Sequence, residues 1–412
     1  LAATDFSRPL ARVTLESVPV ETLSISVSRF RDLAATLMAA EAVGVARWCL
    51  ETATEYAKVR EQFGKPIGSF QAIKHICAEM LLRAEQVSVA AADAAVAVSA
   101  EGDQLSIAAA IAAATGVEAA KANAKDCVQV LGGIGITWEH DAHLYLRRAY
   151  GIGHFLGGAS RWLRQVVELT LSGVRRDLHI ELDSVEHLQS EIETAVAAVA
   201  ALPPSARQPA LADSGLLAPH WPIPYGRAAS PAEQLLIDRE LSRAGIQRPD
   251  LVIGWWAVPT ILEAGTAEQI DRFVPATLRG EVIWCQLFSE PGAGSDLSSM
   301  ATRAVLDEAT GEWVVNGQKV WTSNAQYADF GILVARTDPD VPKHAGLTYF
   351  ILDMTSPGIE IRPLVQAQGV AHFNEVFFSD VRIPAANVVG PVNGGWKVTK
   401  TTMRSESSMI SG

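Results

Sequence analysis

The spacing of apolar residues shifts from a helical period to a strand period in the body of this chain, and that change limits the architectures open to it. From about residue 30 to residue 173 apolar side chains recur at helical spacing in four stretches, 30–59, 70–99, 105–130 and 140–173, divided by short breaks rich in Gly or polar residues. Such spacing marks helices with one buried face, and four long ones with short connections read as an antiparallel bundle. The Ala-rich segments 87–99 and 106–120 allow helices to approach closely. Asp93, Glu101, Asp103 and Glu118 interrupt them, which predicts that neither reaches membrane-spanning length. After Gly280 the period shortens to that of strands, at 282–288, 302–306, 313–315, 319–321, 330–336, 348–352 and 375–378. Many short strands joined by Gly and Pro turns predict a small barrel or sandwich, and Asn316-Gly317 reads as a two-residue hairpin turn.

Between these regions, 185–201 is helical and seven prolines fall between 203 and 231, giving short helices framed by loops. The unpatterned polar stretch around Arg175, Arg176 and Asp177 reads as a linker, with a boundary near residue 178. Near the start, Val13, Leu15, Val18 and Val20 alternate as in a short strand, and this segment echoes Val376 to Ile383. A last helix is expected over 396–410. The chain opens on Leu1 without a signal-peptide pattern and its last helix lacks a cap, so a longer protein is expected around it.

Charge excludes one class of partner. With 34 Lys plus Arg against 46 Asp plus Glu, the net charge is −12, and nucleic-acid binding by bulk charge needs a basic face instead. Cys49, Cys77, Cys127 and Cys285 form no C-x-x-C pair, which predicts reduced thiols in a cytoplasmic protein and no metal site. No nucleophile elbow or P-loop lysine motif is present.

Four motifs carry chemistry. Gln286-Leu287-Phe288-Ser289-Glu290-Pro291-Gly292-Ala293-Gly294-Ser295-Asp296 follows a strand, with glycines for close backbone approach and hydroxyls for a polar ligand. Trp321-Thr322-Ser323-Asn324 sets an aromatic face beside hydroxyls, suited to a flat heterocycle. The helical region adds Arg60-Glu61-Gln62-Phe63-Gly64 with Phe70-Gln71, and Gln129-Val130-Leu131-Gly132-Gly133. Guanidinium groups pair with phosphate, and Gly-Gly exposes backbone N–H groups.

Together these motifs resemble the acyl-CoA dehydrogenase family of flavoenzymes, in rotated order and over almost the whole chain. The resemblance implies an α+β multidomain fold: a four-helix bundle, a helical domain and a small β-barrel domain. Residues 1–27 would end a first module's β-domain and 28–172 form its C-terminal bundle. After a linker at 173–182, residues 183–280 would be a second module's N-terminal helical domain, 281–395 its middle β-domain and 396–412 the start of its bundle. The chain is thus similar to the middle of a tandem fusion of the type acting on steroid side-chain CoA thioesters.

By the same resemblance, Gln286, Leu287, Phe288, Ser289, Gly294, Ser295, Trp321, Thr322 and Ser323 would contact FAD, with Ser295 also near the acyl-CoA. Arg60, Phe63, Gln71, Gln129, Gly132 and Gly133 would, as a neighbouring bundle does in the family, hold the adenine and pyrophosphate end of another module's FAD, either in the same chain or across a dimer. The reaction implied is α,β-dehydrogenation of an acyl-CoA, in which a glutamate takes the α-proton. In the first bundle the family's two base positions fall at Gly157 and about Ala34, so that module reads as silent. Glu406 matches the early-helix base of the second, while Glu290 and Asp296 read as backbone organisers. An electron-transferring flavoprotein as acceptor and a homodimer or higher oligomer are implied. A non-catalytic flavin-binding or scaffold half and an acyl-CoA oxidase-like enzyme stand as alternatives.

Overall fold

Alanine decides how the helices of the first half pack. The computed structural model describes residues 4–8, 13–19, 24–177 and 181–410, in two compact units, Leu1–His179 and Ile180–Gly412. The first unit holds α1 (Val27–Val59), α2 (Gln71–Ala97), α3 (Gln104–Leu131), α4 (Ala142–Leu156) and α5 (Ala159–Leu171), with two-residue strands β1 (Glu61–Gln62) and β2 (Lys65–Pro66) between α1 and α2. Ser26 caps α1, its hydroxyl accepting from the Arg29 N–H at 3.1 Å.

Ala35, Ala42, Ala46 and Ala53 of α1 share one core with Ala109, Ala113 and Ala120 of α3. At Gly116 an added Cβ would stand 3.2 Å from the Ala42 methyl, so the helices touch almost backbone to backbone. Buried Asn123 of α3 donates to the carbonyls of Ala46 at 3.1 Å and Met80 at 2.9 Å, tying three helices at one level. By length and apolar content α1 and the segment Gln104–Ile136 would suffice to cross a bilayer, which corrects the expectation that Glu118 shortens the run too far. Their alanine faces are instead spent on each other.

Two further expectations are corrected here. The stretch 140–173 is not one helix: Gly157 at φ +74 ends α4 in a left-handed cap, and Gly158 at φ +81 precedes α5, a pair of conformations that glycine adopts without strain. Residues 13–19 form no strand, and Val13, Leu15 and Val18 are exposed, since alternation makes a strand only where a neighbour accepts its ladder. Val20 and the boundary near residue 178 lie outside the described residues.

The second unit begins with α6 (Gln189–Ala200), α7 (Pro204–Asp213), α8 (Pro231–Arg243), α9 (Gly254–Ala264) and α10 (Ala267–Leu278). Proline opens α7 and α8, where its missing N–H costs nothing. Thr266 and Gln269 close a capping box on α10. Eight strands follow: β3 (Trp284–Leu287), β4 (Arg303–Asp307), β5 (Glu312–Ser323), β6 (Phe330–Arg336), β7 (Leu347–Asp353), β8 (Ile359–Leu364), β9 (Phe373–Pro384) and β10 (Val388–Val389). They form one sheet in the order β10-β7-β6-β4-β5-β9-β8, with β3 added parallel to β6.

The sheet curls around an interior of Leu333, Phe350, Leu352, Trp313, Val376 and Phe378, giving the barrel-like domain. Its other face, through Ile332, Val334, Tyr349 and Ile351, packs on the helices. Asn316-Gly317 is not a hairpin turn, a second correction in strand reading. Both lie inside β5, where the register with β9 shifts by a bulge. Asn316 bonds Asp380 in both directions there, at 2.9 Å each. The chain reverses instead after Asp307, whose carboxylate accepts the Ala309 N–H at 3.1 Å. The last helix, α11 (Gly395–Ile410), packs against α9 and β7.

Candidate active site

Two backbone contacts gather the sequence motifs of the second unit. The Val320 N–H donates to the Ser289 carbonyl at 2.9 Å, setting the end of β3 beside the bulged part of β5. Lys319, its side chain fully buried, donates to the Phe288 carbonyl at 3.0 Å and to Glu290 at 2.9 Å. Burial pushes the Lys319 ammonium down to about 8 against the pull of Glu290. Burial pushes Glu290 up, but the Lys319 charge and hydrogen bonds from the 301–302 segment outweigh it and hold its carboxyl below the usual range. Glu290 also accepts the N–H groups of Ala301 at 2.6 Å and Thr302 at 2.9 Å. It organises backbone, as its place in the motif suggests. Asp296 differs from it: at the surface its carboxylate accepts, among the described residues, only from side chains, those of Lys343, Ser299 and Ser298, and these bonds hold it at about 2.

Around this frame stand the other residues that the motifs single out. Trp321, at φ +62, is 60% exposed and meets Phe373 only edge-on, leaving an indole face open. Thr322 Oγ1 is buried with no hydrogen-bond partner. Ser289 and Ser323 are half-buried and Gly292 and Gly294 have open space where a Cβ would stand. Exposed Ser295 adjoins Gly294. The Leu287 and Phe288 side chains are packed into the two cores, so these residues offer a ligand their backbone alone. An aromatic plate, idle hydroxyls and open backbone fit a flat, hydrogen-bonding heterocycle such as the ring of FAD.

Glu406 lies on α11, and α9 fixes its position. Gln286 Nε2 donates to Glu406 Oε2 at 3.2 Å, and the Trp256 indole N–H donates to Gln286 Oε1 at 2.5 Å. One turn earlier on α11, Thr402 bonds Thr260 at 2.9 Å and the buried Tyr349 hydroxyl at 3.0 Å. Burial, aided by the Glu406 charge after hydrogen bonds are offset, pushes the Tyr349 hydroxyl up. Thr401 and Arg404 both bond Glu263, each at 2.9 Å. The sequence reading did not single out Trp256, Thr402, Tyr349 or Lys319. For Lys319 a signal existed, since strand alternation from Trp313 and Val315 places it inward.

In the first unit the antiparallel run of α1, α2 and α3 brings the end of α1, the start of α2 and the end of α3 to one end of the bundle. Arg60, Gln71, Gln129, Gly132 and Gly133 are exposed there or at the adjoining loop. The Arg60 guanidinium pairs with no carboxylate among the described residues. Phe63, 92% exposed at φ +56, stands edge-on to Phe70. Neither base position offers a carboxylate: Gly157 ends α4, and Ala34 is half-buried. The nearby buried Asp32 accepts the Ser106 hydroxyl at 2.6 Å.

Family profiles match three parts of the chain. The acyl-CoA dehydrogenase C-terminal domain matches residues 28–171, the N-terminal domain 185–281 and the middle domain 285–381. Acyl-CoA dehydrogenase FadE34 of Mycobacterium tuberculosis is 67% identical over 407 residues, 98% of this chain and 57% of that protein. Acyl-CoA dehydrogenase IpdE1 of the same organism is 44% identical over 200 residues, 48% of this chain and 51% of that protein. Among solved structures, the ChsE4-ChsE5 complex from Mycobacterium tuberculosis aligns with TM-score 0.43 and 33% identity, covering 56% of this chain and 61% of that one. The chain therefore spans about half the length of the curated relatives it matches.

Proposed function

Because this chain belongs to the acyl-CoA dehydrogenase family, we propose that it serves FAD-dependent α,β-dehydrogenation of an acyl-CoA thioester, with Glu406 as the base. The observation that carries this reading is the Glu406 carboxylate, held by Gln286 on the strand that continues into Ser289 and the Trp321 face. Glu406 takes the proton as the α C–H bond breaks. FAD, when bound, supplies the acceptor for the hydride lost from the β-carbon, and the double bond forms between the two carbons. Trp321 would offer the flavin its open aromatic face, while Ser289, Thr322 and Ser323 would offer it hydroxyls. Ser295 binds near the thioester. The Arg60, Phe63, Gln71, Gln129, Gly132 and Gly133 set contributes the charge and backbone that an adenine and pyrophosphate end requires.

The order of domain matches, C-terminal before N-terminal and middle, supports a tandem pair of modules in which the first has lost its base. On that arrangement a bulky steroid side-chain CoA is the substrate class to test first. Exposed Leu82, Val89 and Val96 of α2, and Leu163, Val167 and Leu171 of α5, each line one helix face and support a homodimer or larger assembly. Four unpaired cysteines suit the cytoplasm, and an electron-transferring flavoprotein is the proposed acceptor.

The test is anaerobic bleaching of the flavin by acyl-CoA thioesters in the full-length protein and in Glu406→Gln. Retained FAD with bleaching slowed about 10²- to 10⁴-fold is expected. Unchanged bleaching would leave this region a flavin-binding scaffold, and peroxide formed in air would mark an oxidase.

A further inference from the structure

The proposed base does not stand alone, and the residue that orients it comes from another helix. We propose that Trp256 is a positioning residue for Glu406, acting through the side-chain amide of Gln286. This rests on the reading of Glu406 as the base.

An indole N–H can only donate. Its partner 2.5 Å away must therefore be the amide oxygen of Gln286, and this decides which way round the amide sits. With Oε1 turned to Trp256, Nε2 faces Glu406 and donates to Oε2. The flipped amide would set two donors against each other at Trp256 and two acceptors against each other at Glu406. The indole thus selects the one orientation in which Gln286 can hold a carboxylate. Oε2 is then occupied, while Oε1 accepts no hydrogen bond from the described residues and is the oxygen left to take a proton.

The anchor is itself fixed to the helix that carries the base. Trp256, Thr260 and Glu263 lie along one face of α9 at helical spacing, and Thr402 and Glu406 lie one turn apart on α11. The Thr260 hydroxyl donates to the Trp256 carbonyl at 2.7 Å and pairs with Thr402 at 2.9 Å. Glu263 accepts from Thr401 and Arg404 on either side. The indole and the carboxylate therefore share one rigid support, and a shift of either is resisted at three levels.

The experiment compares Trp256→Phe, Trp256→His, Gln286→Met and the Trp256→Phe/Gln286→Met double variant in the full-length flavoprotein. Expected for Trp256→Phe is about a tenfold fall in the limiting rate of flavin bleaching, with KM and FAD content within about twofold of wild type. The α-deuterium isotope effect should rise, because proton removal is the step slowed. Affinity for a thioether CoA analogue that cannot be oxidised should not move. Trp256→His, which keeps a ring N–H, should recover part of the rate. Since Trp256 acts only through Gln286, the double variant should be no slower than Gln286→Met. Losses that multiply in the double variant, or a Trp256→Phe rate equal to wild type, overturn the proposal. Full activity in Glu406→Gln instead overturns the base assignment beneath it, so the two failures are told apart.

Discussion

Lys319 and Glu290 show how one buried pair holds a ligand loop. Lys319 is fully buried, yet its ammonium meets a carboxylate, the Phe288 carbonyl and the Met300 sulfur, so its burial is compensated at each side. Removing one partner strands the other: Glu290→Gln should lower stability by about 3–5 kcal/mol at pH 7, measured by denaturant unfolding. The pH dependence has a definite sign. Glu290 titrates below its ordinary 4.5 in the folded protein, so the stability it contributes is present above that value and is lost as pH falls through the lower folded one. The gap between wild type and Glu290→Gln should accordingly narrow below about pH 4.5; a gap constant from pH 6 to 3 would mean the ion pair is not its source. Part of the candidate site was legible from residue types, since the motif residue Ser289 meets Val320, next to Trp321, through the backbone and Glu406 meets Gln286. Trp256 was not, because nothing in its own helix signals a partner 30 residues away on a strand.

At the scale of elements, the same contrast appears between what period can show and what only packing decides. Helical spacing continues through residues 140–173, but Gly157 and Gly158 take positive φ and cut the run into α4 and α5. Gly157→Ala should therefore destabilise by about 1–2 kcal/mol, the cost of a left-handed alanine. A stabilised variant, seen as a raised Tm, would mean that α4 and α5 can merge into the single helix the pattern suggests. Asn316-Gly317 misleads for a related reason: the dipeptide favours a reversal, but the Asp380 contacts across to β9 make it a bulge within a longer strand. The docking of α11 rests on hydroxyls buried between α9 and β7. Thr402→Val should cost about 1–3 kcal/mol by stranding the Tyr349 hydroxyl, with Thr402→Ser close to wild type in thermal unfolding.

For the molecule as a whole, charge poses the sharpest question. A chain of net charge −12 repels a pyrophosphate on average, so any such group must be met by local cations that are not already paired. Arg83, Arg148 and Arg176 of the first unit are engaged by Asp126, Glu41 with Asp5, and Asp93. Arg60 has no such partner among the described residues and lies beside the exposed Phe63 loop, which makes it a cation available to a phosphate. Arg60→Ala in the full-length protein should weaken FAD by about 1.5–3 kcal/mol, the worth of hydrogen bonds to charged groups, or roughly 10- to 100-fold in Kd. Its FAD affinity should also depend less on ionic strength than that of wild type, because a charge pair has been removed. Flavin titration at low and high salt measures both. If Arg60→Ala holds FAD as tightly as wild type while Trp321→Ala loses it, the cofactor is held by the strands of the second unit, and the exposed loop of the first bundle serves another purpose.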